Sequence, residues 1–180
     1  MSTDTVRLAA LCTSLLFYAI SSVAATPPAP KADENYGKIH FIDSEGKPMC
    51  VLSVPKVSQL TNFDSSATSC ENDRATSFWL ENVDSATLIE FYENEACSDN
   101  QSKSNFYFKL KTVKQPTHWY SGEAQIPMRI DELRAYESPG ELISGKYTRV
   151  EESFVGKDLL SDDLDERLSC VYIERSQPVN

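Results

Sequence analysis

Asn105-Phe106-Tyr107-Phe108-Lys109-Leu110-Lys111 decides the fold class. Phe106, Phe108 and Leu110 fall on one side of an extended chain, and Tyr107, Lys109 and Lys111 on the other, because successive strand side chains point to opposite faces. One apolar and one polar side belong to an antiparallel sheet with a single buried face, since parallel strands are apolar on both. Weaker strands lie on either side of this one. Tyr36 to Ile42 alternates, Asp43-Ser44-Glu45-Gly46-Lys47 supplies a turn, and Met49 to Val54 is the hairpin partner. A polar loop runs from Ser58 to Cys70, after which Phe78-Trp79-Leu80 and Leu88 to Tyr92 return to the sheet. Gln125 to Ile130, Gly145 to Val150 and Cys170 to Ile173 are fainter strands. Leu160, Leu164 and Leu168 repeat every four residues and predict a short helix over Lys157 to Leu168, capped by Asp158 or Ser161.

Strand, hairpin, long loop and returning strand occur twice, over about Tyr36 to Val83 and about Ala86 to Val150. The expected fold is therefore all-β: two Greek-key motifs forming an antiparallel β-sandwich, with one short C-terminal helix and two disulfides.

Export follows from the N-terminus. Arg7 precedes the apolar run Leu8 to Ile20, and small residues surround Val23-Ala24-Ala25, so residues 1–25 read as a signal peptide. Residues 26–35 are a proline-rich leader, and 36–180 form a single domain of sufficient length for a real core. Cys50, Cys70, Cys97 and Cys170 remain after cleavage, an even number suited to an oxidising compartment. Three pairings are possible. Loop closure favours Cys50–Cys70 with Cys97–Cys170. The expected location is secreted or periplasmic, with no membrane span once the signal is removed. A net charge of −10 argues against binding a nucleic-acid backbone.

Asn72-Asp73-Arg74-Ala75-Thr76-Ser77 leads straight into the apolar strand at Phe78, and Phe91-Tyr92-Glu93-Asn94 closes the next one. This order resembles the βγ-crystallin family, whose Greek keys carry an Asn/Asp-Asn/Asp-x-x-Ser/Thr-Ser stretch before the last strand. The resemblance covers about Tyr36 to Thr112. It implies a Ca²⁺ site built from two such stretches, one per key, plus a backbone carbonyl from each hairpin. Carried over, Asn72 (through its backbone oxygen), Asp73 and Ser77 become candidate ligands, with Glu93 or Asn94 near the hairpin carbonyl. The sequence departs from the pattern in the second key. No matching stretch is read after Thr112, and Asp99-Asn100-Gln101-Ser102-Lys103-Ser104 places Lys103 where a hydroxyl belongs. Half a site is what this reading supplies.

Other constellations point away from catalysis. No HExxH, GxSxG or CxxC occurs, and neither His40 nor His118 stands in a nucleophile–base pattern. The acids Asp158, Asp162, Asp163, Asp165 and Glu166 lack the spacing of an EF-hand and read as the solvated face of the expected helix. Lys114, His118, Trp119 and Tyr120 form an aromatic, proline-broken loop, a candidate surface for a protein or glycan partner outside the cytoplasm. The sequence thus describes a monomeric, non-enzymatic exported binding module with Ca²⁺ as a candidate ligand. The alternative is a secreted antagonist on the same fold, a small toxin or a protease inhibitor.

Overall fold

The computed structural model describes residues 35–176. The expected signal peptide, and the leader up to residue 34, lie outside the described residues. The strands are β1 (Lys38–Ile42), β2 (Pro48–Ser53), β3 (Ser58–Asn62), β4 (Ser77–Glu81), β5 (Thr87–Tyr92), β6 (Phe106–Thr112), β7 (Tyr120–Ser121), β8 (Ala124–Gln125), β9 (Met128–Arg129), β10 (Leu142–Ile143), β11 (Thr148–Val155) and β12 (Cys170–Arg175).

They form two antiparallel sheets, in the orders β2-β1-β4-β9 and β10-β11-β6-β5-β12-β3, beside a small β7-β8 hairpin. The all-β expectation holds, and the topology specifies it further. Strands β1, β2, β3 and β4 make one key, and β5, β6, β9 and β12 make the other. Each key keeps three strands in its own sheet and lends its third to the opposite sheet, β3 to one and β9 to the other. The second key therefore ends at β12 and not near Val150. The Gly145 to Val150 strand belongs to β11, whose pairing with β6 widens the larger sheet.

Phe106, Phe108 and Leu110 are fully buried, as their alternation requires. They meet Ile39, Phe41, Phe78 and Leu80 of the opposite sheet and Ile89, Phe91, Val171 and Ile173 of their own in one apolar cluster. The opposite side of β6 is less wet than expected. Tyr107 is buried beside Tyr92 and Cys170 on the outer face, with Cys97, Phe154 and Tyr172 packed against them. Lys109 holds both Asp99 (3.2 Å) and Glu152 (2.8 Å). Loop 93–105 folds over this end of the strand, which period alone does not report.

The expected C-terminal helix is absent: only Lys157–Leu159 is helical, as a single 3₁₀ turn. Leu159, Leu164 and Leu168 are buried, but Leu160 is 64% exposed, so the four-residue spacing does not mark one helical face. Side chains capture the groups a helix would have used. Arg134 donates to the carbonyls of Leu160 and Asp162, and the Leu164 N–H donates to Asp131 Oδ1.

Both expected disulfides form: Cys50–Cys70, spanning 20 residues, and Cys97–Cys170, spanning 73. Two such bridges suit an oxidising compartment. Among the described residues no helix is long and apolar enough to cross a membrane.

Two related clefts at the hairpin ends

The stretch Asn72 to Ser77 has a partner that the sequence reading passed over. Asp165-Glu166-Arg167-Leu168-Ser169-Cys170 enters β12 as Asn72-Asp73-Arg74-Ala75-Thr76-Ser77 enters β4. The second residue of each, Asp73 and Glu166, has positive φ (52° and 60°), uncommon outside glycine and its αL-tolerant substitutes. The fourth residue of each, Ala75 and Leu168, is fully buried.

Backbone bonds match step for step. Asp73 N–H donates to the Leu168 carbonyl (3.4 Å) and Glu166 N–H to that of Ala75 (2.9 Å), a reciprocal pair. Thr76 N–H donates to Ile42 and Ser169 N–H to Tyr92, each at the end of its own key's first strand. The segment read as an acidic helix face is therefore the second key's counterpart of Asn72–Ser77. Glutamate at its second step and cysteine at its sixth hid the likeness. A second signal was available, since Ile39-His40-Phe41-Ile42-Asp43 and Ile89-Glu90-Phe91-Tyr92-Glu93 share one pattern.

Two clefts result, each built from one key's hairpin, the end of that key's stretch and the start of the other's. The first, about 590 Å³, is lined by Asp43 and Ser44 with Thr76 and Ser77, and by Asp165 and Glu166. The second, about 530 Å³, is lined by Glu93, Asn94 and Glu95 with Ser169, and by Asn72 and Asp73. The structure thus divides the residues taken together from the sequence. Asn72, Asp73 and Asn94 share the second cleft with Glu93, while Ser77 lines the first. Ser169, which the sequence reading missed, stands in the second cleft one step before the position equivalent to Ser77, where Cys170 is held in a disulfide.

The electrostatics differ. In the first cleft Arg129 binds Asp165 through Nε (2.6 Å) and Asp163 through Nη2 (2.7 Å). Hydrogen bonding, chiefly from the Asp165 N–H, holds Asp163 below the usual carboxylate range. Burial pushes Asp165 upward, while the Asp131 N–H and Arg129 pull it back. In the second cleft Ser169 Oγ donates to Asp73 Oδ1 (3.3 Å) and Asn72 Nδ2 to Asp73 Oδ2 (3.2 Å). Asn72 Oδ1 is buried with no hydrogen-bond partner. Burial, then the charge of Asp73, raises Glu93 above the usual carboxylate range, against a smaller opposing pull from Arg167. Among the described residues no three His, Cys, Asp or Glu side chains converge as a ready-made metal group. Any cation here would draw on amide, hydroxyl and carbonyl oxygens as well as carboxylates, the mixture Ca²⁺ accepts.

The aromatic loop is divided. Trp119 is buried against Phe78, and its Nε1 donates to the Lys146 carbonyl (2.8 Å), so this ring is core and not a contact for a partner. Tyr120 packs edge-on to Trp79, which stacks on His40 at 3.8 Å. His118 and Lys114 are exposed; His118 meets Tyr120 edge-on, and Lys114 lies over the Tyr147 ring. A half-exposed remnant of the loop faces solvent.

Comparison with protein-family models, with curated proteins and with solved structures returns no match.

Proposed function

We propose that this chain is an exported, non-catalytic binding module of βγ-crystallin-like character, and that its second cleft takes up Ca²⁺. The observation that carries the reading is the buried, unpaired Oδ1 of Asn72 beside Asp73. A buried acceptor without a donor costs about 1–3 kcal/mol, and a hard cation is one way to satisfy it. Asn72, Asp73, Glu93, Asn94 and Ser169 are the residues that would hold the ion. Bound there, it would compensate Glu93 and Asp73 and tie the second hairpin to both stretches. Support for the resemblance comes from the second stretch, because the family pattern requires one per key.

Calorimetry and thermal unfolding of chelator-stripped protein test the reading. A site with Kd near 10⁻⁴ M would add about 1.4 kcal/mol at 1 mM Ca²⁺, with much less from Mg²⁺. Asp73→Ala is expected to remove the response and leave the fold intact. No heat and no thermal shift at several millimolar Ca²⁺ would reject the ligand.

A further inference from the structure

We infer that Arg129 is a built-in counter-cation for the first cleft, leaving one of these two clefts, and not both, open to a metal ion. Register makes the argument possible. Arg129 stands opposite Ser77, the sixth residue of the first stretch, and Asn62 stands opposite Cys170, the sixth residue of the second. The residues after them are anchored alike, with Ile130 N–H donating to Thr76 and Phe63 N–H to Ser169, both at 2.9 Å. Arg129 and Asn62 are thus one position of the repeat, on the strand each key lends to the other sheet.

What they do there is opposite. Arg129 Nη2 reaches Asp165 Oδ2 at 2.5 Å in addition to the Nε contact and the bond to Asp163. Asp165 Oδ1 accepts the Asp131 N–H (3.0 Å), so both oxygens of the first residue in this stretch are occupied. Asp163 Oδ1 accepts the Asp165 N–H (3.1 Å). Arg74 also approaches Asp43, at 3.6 Å, but is half-exposed and shared with Glu71. A guanidinium stays charged at any accessible pH, and its fork fits carboxylates. A divalent ion entering the first cleft would have to displace it and would face its charge. Asn62 brings no charge. Its Nδ2 donates to the Glu95 carbonyl of the second hairpin (2.9 Å), and its Oδ1 accepts the Asp64 N–H of its own loop (2.8 Å). Asn72, the counterpart of Asp165, keeps an oxygen unpaired.

The inference rests on the second cleft being the Ca²⁺ site, and exchanging the two residues separates its failure from the failure of that reading. Chelator-stripped wild type, R129N, R129K and N62R are titrated with CaCl₂ by calorimetry, with near-ultraviolet circular dichroism to establish the native fold. The expected stoichiometry is one ion for wild type, two for R129N, one for the charge-retaining R129K and none for N62R. Arg129 is half-exposed on a two-residue strand, and R129Q replaces R129N should the latter not fold. Two ions in wild type, or one in both wild type and a folded R129N or R129Q, overturns the inference and leaves the Ca²⁺ reading standing. No ion in wild type with one in R129N rejects the second-cleft site and upholds the role of Arg129. No binding by any variant overturns both.

Discussion

In the first cleft Asp165 gives one oxygen to Arg129 and the other to a backbone N–H, whereas in the second Asn72, at the same step, leaves its oxygen unpaired. The backbones of the two stretches are held by matching hydrogen bonds, so the difference lies mainly in the side chains at equivalent steps and in the groups that reach them. A repeated key imposes its chain path because buried N–H and C=O groups must be paired. It imposes much less on side chains that point into an open cleft. Two copies of one scaffold can therefore hold a fixed internal cation in one place and present unbalanced oxygens in the other.

The equivalence of the two keys is tested most severely in the core. Phe41 and Phe91 occupy the same step, are fully buried and meet with ring centroids 6.0 Å apart. Phe41→Ala and Phe91→Ala are each expected to cost about 3–5 kcal/mol in denaturant unfolding. A difference as large as the smaller of the two values would show that the keys match in path but not in energy.

The disulfides sharpen the comparison next. Cys50–Cys70 closes a short loop in the first key, and Cys97–Cys170 a long one that pins the second hairpin to β12. On the chain-entropy account, Cys50→Ala with Cys70→Ala costs about 3 kcal/mol and Cys97→Ala with Cys170→Ala about 4. Calorimetric unfolding of the two double variants checks the order. The reverse order would place the effect in native packing.

Smallest, and specific to the second cleft, is the titration of Glu93. Its carboxyl is raised in the folded chain, so the native state binds the proton more tightly than the unfolded state. In Ca²⁺-free buffer, stability should fall as pH rises from the ordinary carboxylate range through the raised value, then level off. Glu93→Gln should remove that fall and raise the melting temperature slightly at neutral pH, an effect under about 1 kcal/mol because the site is partly solvated. A destabilised Glu93→Gln at neutral pH would mean that the carboxylate is held by a partner and not strained.

Much of the fold was legible in the chain itself. Alternation in Asn105–Lys111 specified an antiparallel sheet with Phe106, Phe108 and Leu110 inside, because a two-residue period and one buried face leave few alternatives. An even set of cysteines predicted the two bridges, and Asn72–Ser77 was visible as a distinct stretch entering its strand. The rest needed tertiary structure. Leucines at four-residue intervals suggested a helix over Lys157 to Leu168, but Arg134 and Asp131, distant in sequence, take the backbone groups a helix would have paired. The second key's closing stretch was obscured by Glu166 and Cys170, and only its reciprocal bonds with Ala75 and Asp73 identify it. Most of all, nothing local in Met128-Arg129 or Asn62 announces a role at a cleft. Each strand crosses to the opposite sheet, and sheet register sets Arg129 beside Ser77 and Asn62 beside Cys170. Sequence determined the strand class and the buried set Phe106, Phe108 and Leu110, since those follow from period. Which charge meets which cleft was decided by long-range strand exchange, which brings together residues that no local pattern connects.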